Sequence, residues 1–183
     1  MFKLASKAIE VAHKHKAEFG DIRIIEERCQ ELGVKNGEIS ALTDKTTLGY
    51  GIRVLCGGAW GFASGSVMTE RAVADTTLKA IDIAKASRLL MAGRVRLAHE
   101  PAYTDFWQTP FLKDPFAVPI ETKLGLLFKL DALLRKNKKI RVAASELSFI
   151  RERQWHMTTE GSRIEQVLLY SGGNFSATAV EKG

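Results

Sequence analysis

The sequence predicts an α+β domain, with mainly antiparallel sheets and long helices packed on them. Three observations predict this class. Apolar residues recur at helical spacing in three separated stretches. Period-two alternation fills the segments between them. Short glycine or asparagine signals separate the alternating runs, which is how antiparallel neighbours are joined. The size of 183 residues suits one ordinary domain or two small ones, and 45% hydrophobic with 26% charged residues is a globular composition.

The elements follow in order. Leu4, Ala8, Val11 and Ala12 predict a helix over about residues 3–17, ended by Gly20. "DIRIIEERCQEL" then alternates, with Ile22 and Ile24 on one face and Arg23, Ile25 and Glu27 on the other. Asn36-Gly37 is the strongest short hairpin signal, because a type I′ turn needs positive φ at both central residues. A second strand is expected through about Thr43. In "GYGIRVLCGGAWGFASG", Leu48, Tyr50, Ile52 and Val54 share a face, Gly57-Gly58 turns, and Trp60 and Phe62 alternate with Ala59, Gly61 and Ala63.

Thr69 is an expected N-cap for a helix of about 69–91, with Glu70 in its first turn. Ala74, Leu78, Ile81 and Ala84 or Lys85 mark it by their helical spacing. The stretch from Gly93 to Pro119 holds all four prolines and no helical period. It is expected to wrap the surface, anchored by Phe106, Trp107 and Phe111. A connection this long is unusual inside one compact domain. It predicts two subdomains, 1–95 and 117–183, joined by residues 96–116. A third helix is expected from Ile120 to about Asn137, with Leu124, Leu127, Leu130 and Leu134 buried and Pro119 at its start. Three or four strands should complete the chain, with turns near Glu160-Gly161 and at Gly172-Gly173. The two halves then read as one helix-plus-meander unit used twice.

Chemistry is sparse. The net charge of +6 permits an acidic partner. The basic residues are dispersed, however, and the densest cluster (Arg135, Lys136, Lys138, Lys139) complements the end of the third helix. Nucleic-acid binding is therefore disfavoured. No apolar run approaches the ~20 residues of a membrane span, and the N-terminus has no signal core. Cys29 and Cys56 form no disulfide framework, which fits the cytoplasm. His13 and His15 are two apart on a helix and cannot share a metal as an i, i+4 pair does. His99-Glu100 begins like a zinc-protease helix, but Pro101 follows at once. His156 sits in an expected strand beside Trp155 and reads as structural. Gly57, Gly58 and Gly61 have neither the spacing nor the following helix of a dinucleotide loop. Alternate glycines instead give a strand a smooth strip for close backbone approach.

Taken in order, "GDIRIIEERCQE", "KNGEI", "GYGIRVLCGGAWGFASG" and "IETKLGLLFKLDALLRKNKKIRVAASELSF" with "WHMTTEG" resemble the N-terminal region of the TldD/PmbA family, also named for modulation of DNA gyrase. The resemblance implies metal-dependent proteolysis or peptide maturation. TldD-type subunits carry a zinc-binding His-Glu-x-x-x-His helix and a further cysteine ligand, and PmbA-type subunits lack the motif and pair with them. The runs "DPFAVPIETK" and "WHMTTEGSRIEQVLLYSGG" look closer to the TldD type. This chain has no His-Glu-x-x-x-His, so no catalytic or metal residue is carried over, and no substrate-binding residue is assigned. The resemblance implies that residues 1–183 are the N-terminal domain of a larger protein whose catalytic half is absent here. It would be a scaffold or substrate-chamber domain that is inactive alone. No cofactor is expected in this chain, with zinc in the full-length TldD-type member. The implied partners are the remainder of the protein, a second TldD/PmbA-type subunit and a peptide substrate; a homodimer is compatible, and no membrane is involved. The alternative is a basic binding module acting on DNA gyrase or nucleic acid.

Overall fold

The computed structural model describes residues 1–181. Its elements run α1 (Phe2–Lys14), β1 (Phe19–Lys35), β2 (Glu38–Cys56), β3 (Ala59–Gly65), α2 (Glu70–Ser87), β4 (Thr104–Gln108), α3 (Ile120–Leu134), β5 (Ile140–Thr158) and β6 (Arg163–Ala179), with single 3-10 turns at Arg88–Leu90 and Pro115–Ala117. The α+β class is as the alternation and helical spacing require. The strands form one mixed, mostly antiparallel sheet in the order β3-β2-β1-β5-β6-β4. The chain divides into two compact units, each drawn from three segments. The first is Met1–Glu26, Thr47–Gln108 and Glu152–Val167; the second is Glu27–Thr46, Thr109–Arg151 and Leu168–Gly183.

In the first unit, α1 and α2 bury their apolar stripes on one face of the strands. Ala5, Ala8, Val11, Ile22, Ile24, Ile52, Val54, Val73, Ala80, Ile81 and Trp155 make the core. The Thr69 side chain accepts a hydrogen bond from the Ala72 amide, capping α2 as expected. The buried stripe of α2 is Val73, Thr77, Ala80, Ile81 and Ala84. Ile81 and Ala84 are buried as the spacing read them, but Val73 and Thr77 take the places of Ala74 and Leu78, and Leu78 is exposed. Thr77 is tolerated there because its hydroxyl donates to the Val73 carbonyl, 2.7 Å away. Gly57 and Gly58 both adopt positive φ and turn β2 into β3, and Cys56 pairs with Ala59 through to Tyr50 with Gly65. Ala59, Gly61 and Ala63 are buried, while Phe62 is exposed. A Cβ on Gly61 would lie 1.9 Å from the Ala80 carbonyl oxygen. Small residues on β3 let α2 approach the strand backbone.

The second unit has a smaller core of Leu32, Val34, Leu127 and Phe149, with Phe116, Ile120, Leu124 and Leu147 packed around it. Asn36 (φ 51°) and Gly37 (φ 84°) make the expected type I′ hairpin turn. The Asn36 side chain also accepts from the Ala143 amide at 2.9 Å. Leu127 is buried on α3 as expected, but the neighbouring buried positions are Lys123 and Asp131, and the other three leucines of the expected stripe are half-buried.

Four other expectations are corrected. β2 is continuous through Asp44–Thr46, where two strands were expected. Gly172-Gly173 lies inside β6 and makes no turn, so the second helix-plus-meander series has two strands here. Pairing alongside β5 holds both glycines extended despite the local turn signal. Phe106, Trp107 and Phe111 are exposed instead of buried as anchors; Phe106 and Trp107 belong to β4, whose backbone pairs in parallel with β6. In that stretch Pro115 is the buried residue.

Candidate functional site

The first unit gathers polar groups on the strand face opposite its helices. Side chains alternate along a strand, so Asp21, Arg53 and His156 face away from the core formed by Ile22, Ile24, Ile52, Val54 and Trp155. Arg53 donates to both Asp21 oxygens, at 3.0 Å and 2.6 Å, and His156 Nε2 lies 3.2 Å from Asp21 Oδ2. Burial pushes the Asp21 carboxyl up, but the hydrogen bonds from His156 and Arg53 outweigh it, so its pKa is lowered. The Arg53 guanidinium stacks over Trp60, 5.4 Å from the ring centroid, and Trp60 meets Phe19 edge-on.

Next to this cluster lies a cavity of about 500 Å³, lined by Phe19, Arg53, Trp60 and Thr158 on the strand side and by Leu97 and Tyr103 from the connection. The connection is tied down at both ends of this wall. The Val95 amide donates to the Gly58 carbonyl, and the Arg163 amide donates to the Tyr103 carbonyl. Glu18 accepts from the Gly58 amide at 2.9 Å and pairs with Arg94. The cavity offers aromatic faces, one guanidinium already committed to a carboxylate, the side chains of Glu100 and Glu160, and Ser162.

The second unit holds a different cluster. Two guanidiniums lie over the Phe116 ring, Arg28 at 4.8 Å and Arg151 at 4.7 Å from its centroid. Each arginine has its own carboxylate. Arg28 is bidentate to Asp44, at 2.9 Å and 2.8 Å, and Arg151 pairs with Asp114. Gln30 donates to Asp44 and accepts from the buried Lys123. The hydrogen bonds from Arg28, with help from Gln30, hold the Asp44 carboxyl down at about 2.

The residues weighed from sequence stand as follows. His13 and His15 are exposed at the end of α1, and His99 is exposed in the connection. His156 joins Asp21 and Arg53. Cys29 and Cys56 are free and buried, and burial raises both thiols. Arg135 pairs with Asp131 and Lys139 with Glu181, so the basic cluster after α3 is partly neutralised. Among the described residues, no three histidine, cysteine, aspartate or glutamate side chains converge to hold a metal. Sequence reading missed Asp21 and Arg53. The available signal was a charged residue flanked by core aliphatics in a strand, but nothing local names its partner.

Two long-stranded units with helices on one strand face define an α+β domain that residues 20–85 match to the model of PmbA/TldA metallopeptidase domain 1. The chain is 26% identical over 148 residues to a metalloprotease of Methanocaldococcus jannaschii, covering 81% of this chain and 33% of that protein. Its fold is that of a Bacteroides thetaiotaomicron protein named as a modulator of DNA gyrase, with a TM-score of 0.77 at 16% identity over 99% of this chain and 41% of the other. TldE from Thermococcus kodakarensis superposes with a TM-score of 0.69 at 15% identity, over 97% of this chain and 40% of that one. The match of residues 20–85 to domain 1 and the fold likeness over nearly the whole chain agree with the resemblance to the N-terminal region of the TldD/PmbA family. It spans about a third of the length of the metalloprotease it matches. No helix is long and apolar enough to cross a membrane among the described residues.

Proposed function

We propose that this chain is the scaffold and substrate-chamber domain of a TldD/PmbA-like metal-dependent peptidase of the cytoplasm. The carrying observation is that a domain 1 match and full-chain fold similarity coincide with coverage of only a third of a relative named as a metalloprotease. Zinc and its ligands would reside in a part of the protein beyond residues 1–183, in this subunit or in a second TldD/PmbA-type subunit. The described side chains do not fit a metal, so no catalytic step is assigned to them.

The substrate-handling role rests on strand edges in the second unit. β4 pairs with residues 163–167 of β6 and the Leu169 amide donates to the Thr109 hydroxyl, so beyond Leu169 this edge of β6 has no strand partner among the described residues. From Gln166 to Val180 it has no charged residue, and Tyr170 and Phe175 are exposed. Natural edge strands usually carry charge that blocks pairing. An uncharged edge accepts an extended peptide through main-chain hydrogen bonds, with little dependence on its sequence.

The test has two arms. The purified chain is given an unfolded protein, such as reduced carboxymethylated casein, with and without chelator. Binding without chelator-sensitive cleavage is expected, and chelator-sensitive cleavage by the pure chain would sink the proposal. Affinity is then measured against salt for casein and for duplex DNA. Casein binding that persists at high salt supports the chamber reading. DNA binding that falls steeply with salt would favour a basic module acting on nucleic acid.

A further inference from the structure

The second unit contains a cavity of about 560 Å³ bordered by Pro115, Val118, α3 and β5, within the ~300–1,000 Å³ of small-ligand sites. Its apolar wall is Pro115, Val118, Leu126, Leu147 and Phe149; its only charged lining residues are Lys123 and Lys129. Lys123 is 5% exposed. Its ammonium has three donors, and the one protein acceptor it meets among the described residues is Gln30 Oε1. The Nζ sits 4.3 Å from the centroid of the Phe149 ring and 5.9 Å from that of Phe116. Burial lowers its pKa. The nearby carboxylates Asp44 and Asp114 are each taken by an arginine. These two pairs cancel, and among the described residues neither lysine of the cavity has a carboxylate within ion-pair distance. A buried cation is costly without an anionic partner, and here it borders an apolar space large enough for one.

We propose that this cavity binds an amphipathic monocarboxylate, its apolar part along Leu126, Leu147 and Phe149 and its carboxylate on Lys123, with Lys129 as the second cation. The same chemistry is presented by a free alkanoate and by the C-terminus of a peptide ending in an apolar residue. The site goes beyond the peptidase reading and does not depend on it.

The chain is methyl-labelled, and Val118, Leu126 and Leu147 are followed by NMR. The probes are decanoate below its micelle concentration, decanol, and a short peptide ending in leucine with a free or an amidated terminus. Saturable shifts at these methyls with a carboxylate probe are expected, at least tenfold stronger than with its neutral counterpart. Whichever carboxylate binds tighter identifies the source. Lys123→Met should bring the carboxylate down to the neutral level, and Lys129→Gln should weaken it severalfold. If Lys123→Met fails to fold, the head-group preference of the unaltered chain and the Lys129→Gln variant decide. Equal binding of acid and neutral probes, no binding of either carboxylate, or shifts outside the cavity would overturn the proposal. So would methyl shifts that follow chain concentration alone, which would mean that a second copy fills the space.

Discussion

Gly61→Ala tests the account of the glycine-rich β2–β3 stretch. The added Cβ would lie 1.9 Å from the Ala80 carbonyl oxygen and 2.5 Å from the Ala84 amide nitrogen. Both are α2 backbone atoms, so no side-chain rotation relieves the clash. Restoring an ordinary separation of ~3.5 Å requires α2 to withdraw about 1.5 Å from β3. That opens the contacts of Val73, Ala80, Ile81 and Ala84, all buried to 1% exposure or less. Overpacking of this kind costs up to roughly 3 kcal/mol. The lower chain entropy of alanine in the unfolded state offsets about 0.5 kcal/mol. The net loss is about 2.5 kcal/mol, a fall of about 1 M in the urea midpoint for a slope of ~2–3 kcal/mol/M. Fluorescence of Trp60 and Trp155, both in the first unit, reports the transition. Gly51→Ala is the control, because its Cβ meets only the ring of Phe62 at 3.0 Å, and Phe62 is 57% exposed and free to move. It should cost less than about 0.5 kcal/mol. A Gly61→Ala midpoint within about 0.2 M of the parent, or equal losses in the two variants, would refute close helix–strand approach as the reason for these glycines.

Three further outcomes are expected. The Asp44 carboxyl is held at about 2 by Arg28 and Gln30, so its folded pKa lies below its unfolded value. Its contribution is fully present above pH ~4 and lost as pH falls towards 2; urea midpoints measured across that window should drop for the parent and flatten for Asp44→Asn. Thr69→Ala removes the α2 cap and should cost about 1 kcal/mol, lowering Tm by roughly 2–4 °C. Leu127→Ala empties the centre of the smaller core and should cost about 2–5 kcal/mol, read by denaturant unfolding.

The turns at Asn36-Gly37 and Gly57-Gly58 and the cap at Thr69 were legible because each is a local conformational requirement. Positive φ selects glycine and asparagine whatever lies around them, and an N-cap oxygen serves an amide three residues away. Gly172-Gly173 shows where that logic stops. Its turn signal is as strong as that of Gly57-Gly58, yet β6 runs through it. The first half of the α2 stripe was misread by one position, Ala74 and Leu78 for Val73 and Thr77, for a related reason. Thr77 looks polar in sequence, and only its bond to the Val73 carbonyl makes it a core residue. On α3, leucines surround the helix, so spacing alone could not show that Lys123 and Asp131 face inwards.

By itself, the sequence determined the α+β class, the turns at Asn36-Gly37 and Gly57-Gly58 and the family resemblance, because alternation, helical spacing and turn chemistry are properties of neighbours along the chain. Tertiary structure decided the parallel pairing of β4 with β6, the assembly of Asp21, Arg53 and His156, and the stacking of Arg28 and Arg151 on Phe116. Those depend on residues as far apart as 135 positions, whose meeting is fixed by strand register and helix packing. No local pattern encodes which distant side chain a charge will find.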